Sequence, residues 1–114
     1  MHELGLVSYI IDTLENLAEE ENLTDVASVT LEVGEVSSVV PDYLVDCWNY
    51  AHKKSELLKD SKLKLNIIPA VTMCEECEKI FSTIKYHKQC PYCKSYFTHL
   101  IRGDEFNIKE IEAM

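Results

Sequence analysis

Four cysteines in two matched pairs constrain the fold of this chain more than any other feature. Two residues separate Cys74 from Cys77, twelve more follow, and Cys90 and Cys93 repeat the first spacing. Each pair places two sulfurs on one tight turn, and four thiolates complete a tetrahedral shell around one zinc ion at about 2.3 Å. The spacing therefore predicts a closed, structural zinc site, with no ligand position left open for an activated water.

Other uses of the four cysteines fit the sequence less well. Disulfides are disfavoured because the chain opens without the basic and apolar regions of a signal peptide. A thioredoxin-like pair requires a Cys-x-x-Cys at the start of a helix within a βαβ unit, and the flanking pattern does not provide one. Iron in a rubredoxin-like site, which would make the protein an electron carrier, is the alternative that stays open, since four thiolates also suit iron.

Charge and hydropathy narrow the classes of partner. The chain has 114 residues and a net charge of −9, which disfavours binding to a nucleic-acid backbone and counts against a DNA-binding zinc ribbon. A zinc-ribbon module that binds other proteins stays open as an alternative. No apolar run approaches the roughly 20 residues of a membrane span. We therefore expect a cytoplasmic protein that binds neither nucleic acid nor membrane.

Hydrophobic periodicity predicts two helices and three strands outside the cysteines. Apolar residues at helical spacing predict a helix over 4–20, and Asn22 suits a left-handed residue at its end. A second helix begins at Pro41. Alternating residues predict strands over 26–33 and 62–68, and a last strand runs from Phe106 through Ile111. The fold class expected is α+β, with two helices packed on a small three-stranded sheet and an inserted zinc-knuckle module.

The order of these elements predicts two domains. Residues 1–69 plus 100–114 form the α/β domain, and residues 70–99 form the zinc-binding domain. The cysteine module has almost no aliphatic core beyond Ile80, Phe81, Ile84 and Phe97, so we expect the metal to supply most of its folding free energy. Cys47 lies in line with the apolar residues of the second helix and is expected to be a small buried hydrophobe.

The first three residues are a candidate for a second metal site. In Met1-His2-Glu3 the α-amine, the backbone nitrogen of His2 and its imidazole can close adjacent chelate rings around one ion. Such a nitrogen-rich set suits Ni(II) or Cu(II) better than zinc, and Glu3 can add its amide nitrogen or its carboxylate. From these residues alone, an exposed polar histidine at position 2 is the simpler alternative.

Taken together, the motifs resemble the HypA/HybF family of hydrogenase maturation proteins over essentially the whole chain. Each motif alone is weak, but their order and spacing are specific. The motifs are Met1-His2-Glu3 at the start of a helix, Val33-Gly34-Glu35 at the end of a strand, the run from Ser37 to Leu44 at the start of the next helix, and the cysteine pattern with Pro91 after Cys90.

The resemblance implies a nickel metallochaperone rather than an enzyme. It implies that Met1, His2 and Glu3 bind the transported nickel and that the four cysteines hold structural zinc. The implied partners are a GTPase of the same pathway (HypB) and the large subunit of nickel–iron hydrogenase, and we expect a monomer or weak homodimer. Family members often carry an acidic residue before the second helix; here Val40 occupies that place, and Asp42 is not expected to be a direct ligand.

Overall fold

The structure is a computed structural model that describes residues 3–114. Its elements alternate between helix and strand along the chain and then become strand-rich around the cysteines. In chain order they are α1 (Glu3–Glu21), β1 (Val26–Gly34), α2 (Pro41–Ala51), a 3-10 turn (His52–Lys54), β2 (Lys62–Ile68), β3 (Val71–Cys74), β4 (Ile80–Ser82), α3 (Thr83–Tyr86), β5 (Thr98–Arg102) and β6 (Phe106–Ala113).

Two compact units make up the chain. The first contains the described residues up to Glu32, together with 39–66 and 107–114, and the second contains 33–38 and 67–106. Strands β2, β1 and β6 form a three-stranded sheet in which β1 is the central strand. The C-terminal strand thus returns to the sheet, which confirms the predicted α+β architecture with an inserted cysteine module.

Helix α1 buries a narrower stripe than its sequence suggests. Val7, Ile10, Leu14 and Ala18 are buried, whereas Leu4 is 50% exposed. These four positions have the spacing of one helical face, so the centre of the buried stripe lies slightly away from Leu4. The helix ends as predicted, because Asn22 takes a left-handed φ of 56°.

Helix α2 begins at Pro41, as predicted, and contacts α1. Its Leu44 and Trp48 side chains are buried. The His52 ring stacks on Trp48 with centroids 5.5 Å apart, and its Nδ1 lies 2.9 Å from the Leu58 carbonyl oxygen. His52 is therefore a structural side chain of this unit.

The second unit contains a sheet that periodicity did not reveal. Strand β3 lies at its centre and pairs in the antiparallel sense with β4 and with β5. The three strands have only 4, 3 and 5 residues, too few to produce a clear alternation. They frame the cysteines, because β3 ends at Cys74.

No helix in the described part of the chain has the length and apolar character needed to cross a membrane.

Candidate metal centre

The four predicted cysteines converge on one point. The Sγ atoms of Cys74, Cys77, Cys90 and Cys93 all lie within 4.8 Å of one another. Cys74 Sγ is 3.5 Å from Cys93 Sγ, and Cys77 Sγ is 3.6 Å from Cys90 Sγ. Four sulfurs at about 2.3 Å from a tetrahedral zinc ion would be about 3.8 Å apart, so this cluster fits a single zinc ion.

Two nearly identical turns present the sulfurs. In the first knuckle the Glu78 amide donates to the Cys74 carbonyl at 2.9 Å, and in the second the Lys94 amide donates to the Cys90 carbonyl at 2.9 Å. In both knuckles the amide of the leading cysteine also donates, at 2.9 Å, to the carbonyl five residues later. The repeated spacing in the sequence thus corresponds to a repeated backbone conformation.

Amide groups of the knuckles donate to the sulfurs and alter their acidity. Burial raises the pKa of Cys90, but backbone hydrogen bonds, chiefly from Cys93, outweigh it and lower that pKa to about 7. The Ser95 amide lowers the pKa of Cys93, but the neighbouring sulfurs, chiefly that of Cys74, outweigh it and raise the pKa of this exposed cysteine to about 12. Four adjacent thiolates repel one another, so a divalent cation is the group that allows all four to ionise together.

One buried aromatic side chain belongs to the same small cluster as the cysteines. Phe81 is 6% exposed and forms a small buried cluster with Cys74 and Cys90. Tyr86 meets the Phe81 ring edge-on, with centroids 6.1 Å apart. Of the four apolar residues expected to form the core of this module, Phe81 is buried. Ile80, Ile84 and Phe97 are 53%, 51% and 63% exposed, so the core is smaller than predicted.

The predicted nickel tripeptide is described only at its third residue. Met1 and His2 lie outside the described residues. Glu3 begins α1 and is 5% exposed, and its Oε2 accepts a hydrogen bond of 3.1 Å from the Val40 amide. Val40 is the residue before the first turn of α2, so the Glu3 carboxylate joins the starts of α1 and α2.

The sequence motifs that contain Glu3 and Val40 do not predict this contact. Val40 contributes its backbone amide, and its side chain is 52% exposed. Asp42 is exposed in the first turn of α2. Cys47 is half-buried, less enclosed than a core position would be.

Comparison with known proteins gives a match over almost the entire chain. The sequence profile of the family described as "Hydrogenase/urease nickel incorporation, metallochaperone, hypA" matches residues 1–113. The chain belongs to the HypA family. Curated relatives named "Hydrogenase maturation factor HypA" include one from Actinobacillus succinogenes, 32% identical with 97% of both chains covered. Another, from Geobacter metallireducens, is also 32% identical, with 99% of both chains covered.

Solved structures show the same fold. The solution structure of "the Ni metallochaperone HypA from Helicobacter pylori" matches 100% of this chain and 98% of that one, with a TM-score of 0.72 at 23% sequence identity. A second solution structure, of "HypA protein", gives a TM-score of 0.74 and covers 97% of that chain. The family resemblance found in the motifs is thus confirmed, and the fold is that of HypA proteins.

Proposed function

We propose that this protein is a nickel metallochaperone for the maturation of nickel–iron hydrogenase. The observation that carries the proposal is the match over residues 1–113 to a family described by nickel incorporation. That description names both hydrogenase and urease, and the relatives cited above are named for hydrogenase, which favours hydrogenase as the destination.

Nickel is held, in this proposal, at Met1, His2 and Glu3. The clustered cysteines form a closed site for one ion, so transported nickel needs other ligands. The amine and imidazole nitrogens of the tripeptide are suitable donors for Ni(II). The bond from the Val40 amide to Glu3 supports this assignment, because it fixes the third residue against the start of α2.

Delivery follows from the same ligand set. A small nitrogen chelate exchanges its metal more readily than an enclosed thiolate site. Its two basic groups, the α-amine and the His2 imidazole, release nickel when they are protonated. The receiving protein in this proposal is the hydrogenase large subunit, with the GTPase HypB as the partner, and the cytoplasm is the compartment. Residues 1–69 plus 100–114 carry the nickel, residues 70–99 carry the zinc, and neither site performs catalysis.

Metal analysis of His2→Ala tests the proposal. We expect the variant to retain about one zinc per chain and to lose tight nickel binding, because the imidazole closes the chelate rings. His87→Ala is a matched control, since that histidine is exposed and lies outside the tripeptide. Nickel titration by calorimetry, with zinc content measured on the same samples, distinguishes the two; equal nickel affinity in His2→Ala and the parent protein would refute the assignment.

An extension before Met1 provides a second test. Two added residues convert the α-amine to an amide while leaving every side chain in place, so nickel affinity should fall although the zinc content does not change. An iron-containing electron carrier, in contrast, would give a coloured protein whose four-cysteine site contains iron.

A further inference from the structure

A cleft in the second unit has none of the four cysteines in its lining. It has a volume of about 340 Å³, and its lining includes Thr72, Thr83, Lys88, Thr98 and Leu100. The remaining lining residues are a valine and a histidine, so none is aspartate or glutamate. The histidine, His99, already contacts the Glu75 carboxylate, with Nδ1 3.0 Å from Oε1, so Lys88 is the cation in this lining that is available to a further negatively charged group.

The polar groups in the cleft can donate hydrogen bonds. Thr72 Oγ1 and Thr83 Oγ1 are 2.6 Å apart, and Thr72 is 4% exposed. One hydroxyl proton joins the two oxygens, which leaves the proton of the other hydroxyl for a further acceptor. The ammonium group of Lys88 has no carboxylate within ion-pair distance among residues 3–114.

A second contact holds the lysine beside the sheet. Thr98 Oγ1 donates to the Lys88 carbonyl at 2.8 Å. This bond ties the backbone of Lys88 to β5, so the origin of the long side chain is fixed although its ammonium group makes no ion pair with residues 3–114. A fixed origin reduces the entropy lost when the ammonium group binds a partner.

Strand β5 presents a free backbone edge next to the cleft. It is an outer strand, paired on one side with β3. The Glu75 amide donates to the Phe97 carbonyl at 3.0 Å, so main-chain groups of Phe97 and His99 face β3. Those of Leu100 consequently face away from β3, and the described residues provide no partner for them.

We propose that this edge and cleft bind an extended segment of another protein that carries an aspartate or glutamate. The segment adds to the sheet as a strand beside β5, through the main-chain groups of Leu100, in the manner of strand addition. Its carboxylate lies in the cleft and accepts from the Lys88 ammonium group and from the threonine hydroxyl pair. Leu100 and Ile101, 37% and 44% exposed, provide apolar contact for the neighbouring residues of the segment.

Charge and exposure together select this occupant. A neutral strand could use the free edge, but it would leave Lys88 without its counter-charge. Four of the five residues of the outer strand are exposed, and the Leu100 backbone is the part of the edge open to pairing, because the Thr98 amide already donates to the Tyr96 carbonyl at 3.0 Å. This inference does not depend on nickel binding.

A peptide titration followed by NMR tests the proposal on zinc-loaded, nickel-free protein. The probe is an acetylated and amidated hexapeptide of alternating valine and threonine with one central glutamate. A control peptide has glutamine in place of the glutamate. We expect chemical-shift changes centred on β5 and slower hydrogen exchange of the Leu100 amide. The glutamate peptide should bind with a dissociation constant about five- to tenfold lower than that of the glutamine peptide. The same glutamate peptide with methylated backbone amides should lose binding, which tests strand addition without changing the protein.

Variants of the protein separate charge from folding. Lys88→Gln should lower the affinity for the glutamate peptide about five- to tenfold and leave the affinity for the glutamine peptide unchanged. Lys88→Arg should bind the glutamate peptide nearly as tightly as the parent protein does. Lys85→Gln is the control, because it removes the same charge from the same unit at an exposed position outside the lining.

Three results would overturn the inference. Equal affinity for the glutamate and glutamine peptides would exclude recognition of the carboxylate, and shifts away from β5 would exclude the edge. Shifts at Leu100 that depend on protein concentration without peptide would show that a second copy of this chain occupies the edge. Each of these results leaves the nickel assignment untouched, because the samples contain no nickel.

Discussion

Two residues hold the zinc knuckles in a backbone conformation that their side chains disfavour. Glu78 and Lys94 have φ values of 63° and 67°, in the left-handed region where glycine is the usual residue. Each supplies the amide that closes its knuckle onto a cysteine carbonyl. The knuckles therefore contain a strained position at the same place in both copies, with a cost on the order of 1 kcal/mol each.

Replacing Glu78 by glycine should relieve that strain. We expect Glu78→Gly to stabilise the zinc-loaded protein, or at worst to leave its free energy of unfolding unchanged, because glycine adopts φ near 60° without steric cost. Glu76→Gly is the matched control: Glu76 is exposed in the same knuckle and has no positive φ. The Glu76→Gly variant should be less stable than the parent protein by about 0.5–1 kcal/mol. Thermal denaturation compares the pair, and equal losses in both variants would argue against strain at Glu78.

Sequence predicted the zinc ligands because their spacing reflects the reach of a tight turn around one ion. It did not predict the hydrogen bond from the Val40 amide to the Glu3 carboxylate. These two residues are 37 positions apart in sequence, and only the tertiary fold brings them together. A backbone donor leaves no mark in the sequence, so the exposed Val40 side chain gave no sign of its role. The same reason explains why the hydroxyl pair of Thr72 and Thr83 was missed.

At the scale of elements, two glycines allow three stretches of backbone in the second unit to pass in close contact. A Cβ atom on Gly34 would lie 2.0 Å from the Gly103 carbonyl oxygen, and one on Gly103 would lie 2.4 Å from Ala70 Cα. Hydrogen bonds reinforce the crossing: the Glu35 carboxylate accepts from the Ala70 amide at 2.9 Å, and the Val36 amide donates to the Gly103 carbonyl at 2.8 Å. The end of β1 is thereby joined to the segments that precede β3 and follow β5.

Gly34→Ala should be strongly destabilising, because the added methyl group meets backbone that cannot move aside as a flexible side chain would. We expect a loss of about 2–3 kcal/mol or more in the free energy of unfolding. Gly5→Ala serves as the control, since Gly5 is exposed in the first turn of α1, where alanine should stabilise by roughly 0.4–1 kcal/mol. Urea unfolding of zinc-loaded samples gives both values, and a loss below about 0.5 kcal/mol at Gly34 would contradict the close packing.

Long elements with one buried face were predicted well, and short exposed ones were not. Strand β1 alternates between buried and less buried residues from Val29 to Val33, and it was predicted to within one residue of its end. Strand β5 has four exposed residues out of five, so its sequence carries no two-residue period. Its structure comes from pairing with β3 and from the cysteine turns, which are non-local constraints that a periodicity argument cannot detect.

The two units differ in what holds each of them together. Large apolar side chains fill the first, including the fully buried Leu14, Leu31, Trp48 and Leu58. In the second, the residues at 0% exposure are Cys74 and Cys90. Charge differs as well: fourteen acidic and six basic residues give the first unit a net charge of −8, whereas six acidic and five basic residues give the second −1. The low charge of the second unit suits the proposed contact with an acidic segment.

Removing zinc should therefore unfold the second unit and leave the first intact. The buried cluster around Phe81 is too small to hold this unit together by itself, so its folding depends on the bonds from the four sulfurs to the metal. Without the metal, nothing holds the four sulfurs close together. Hydrogen exchange under reducing conditions with a strong chelator should show rapid exchange across β3 and β5, with protection kept in α1 and at Leu31 of β1. Restoring zinc should restore the protection, and Cys47→Ser, which keeps all four ligands, should behave as the parent protein does. Protection that stays equal in both units after chelation would show that the second unit has a sufficient core of its own.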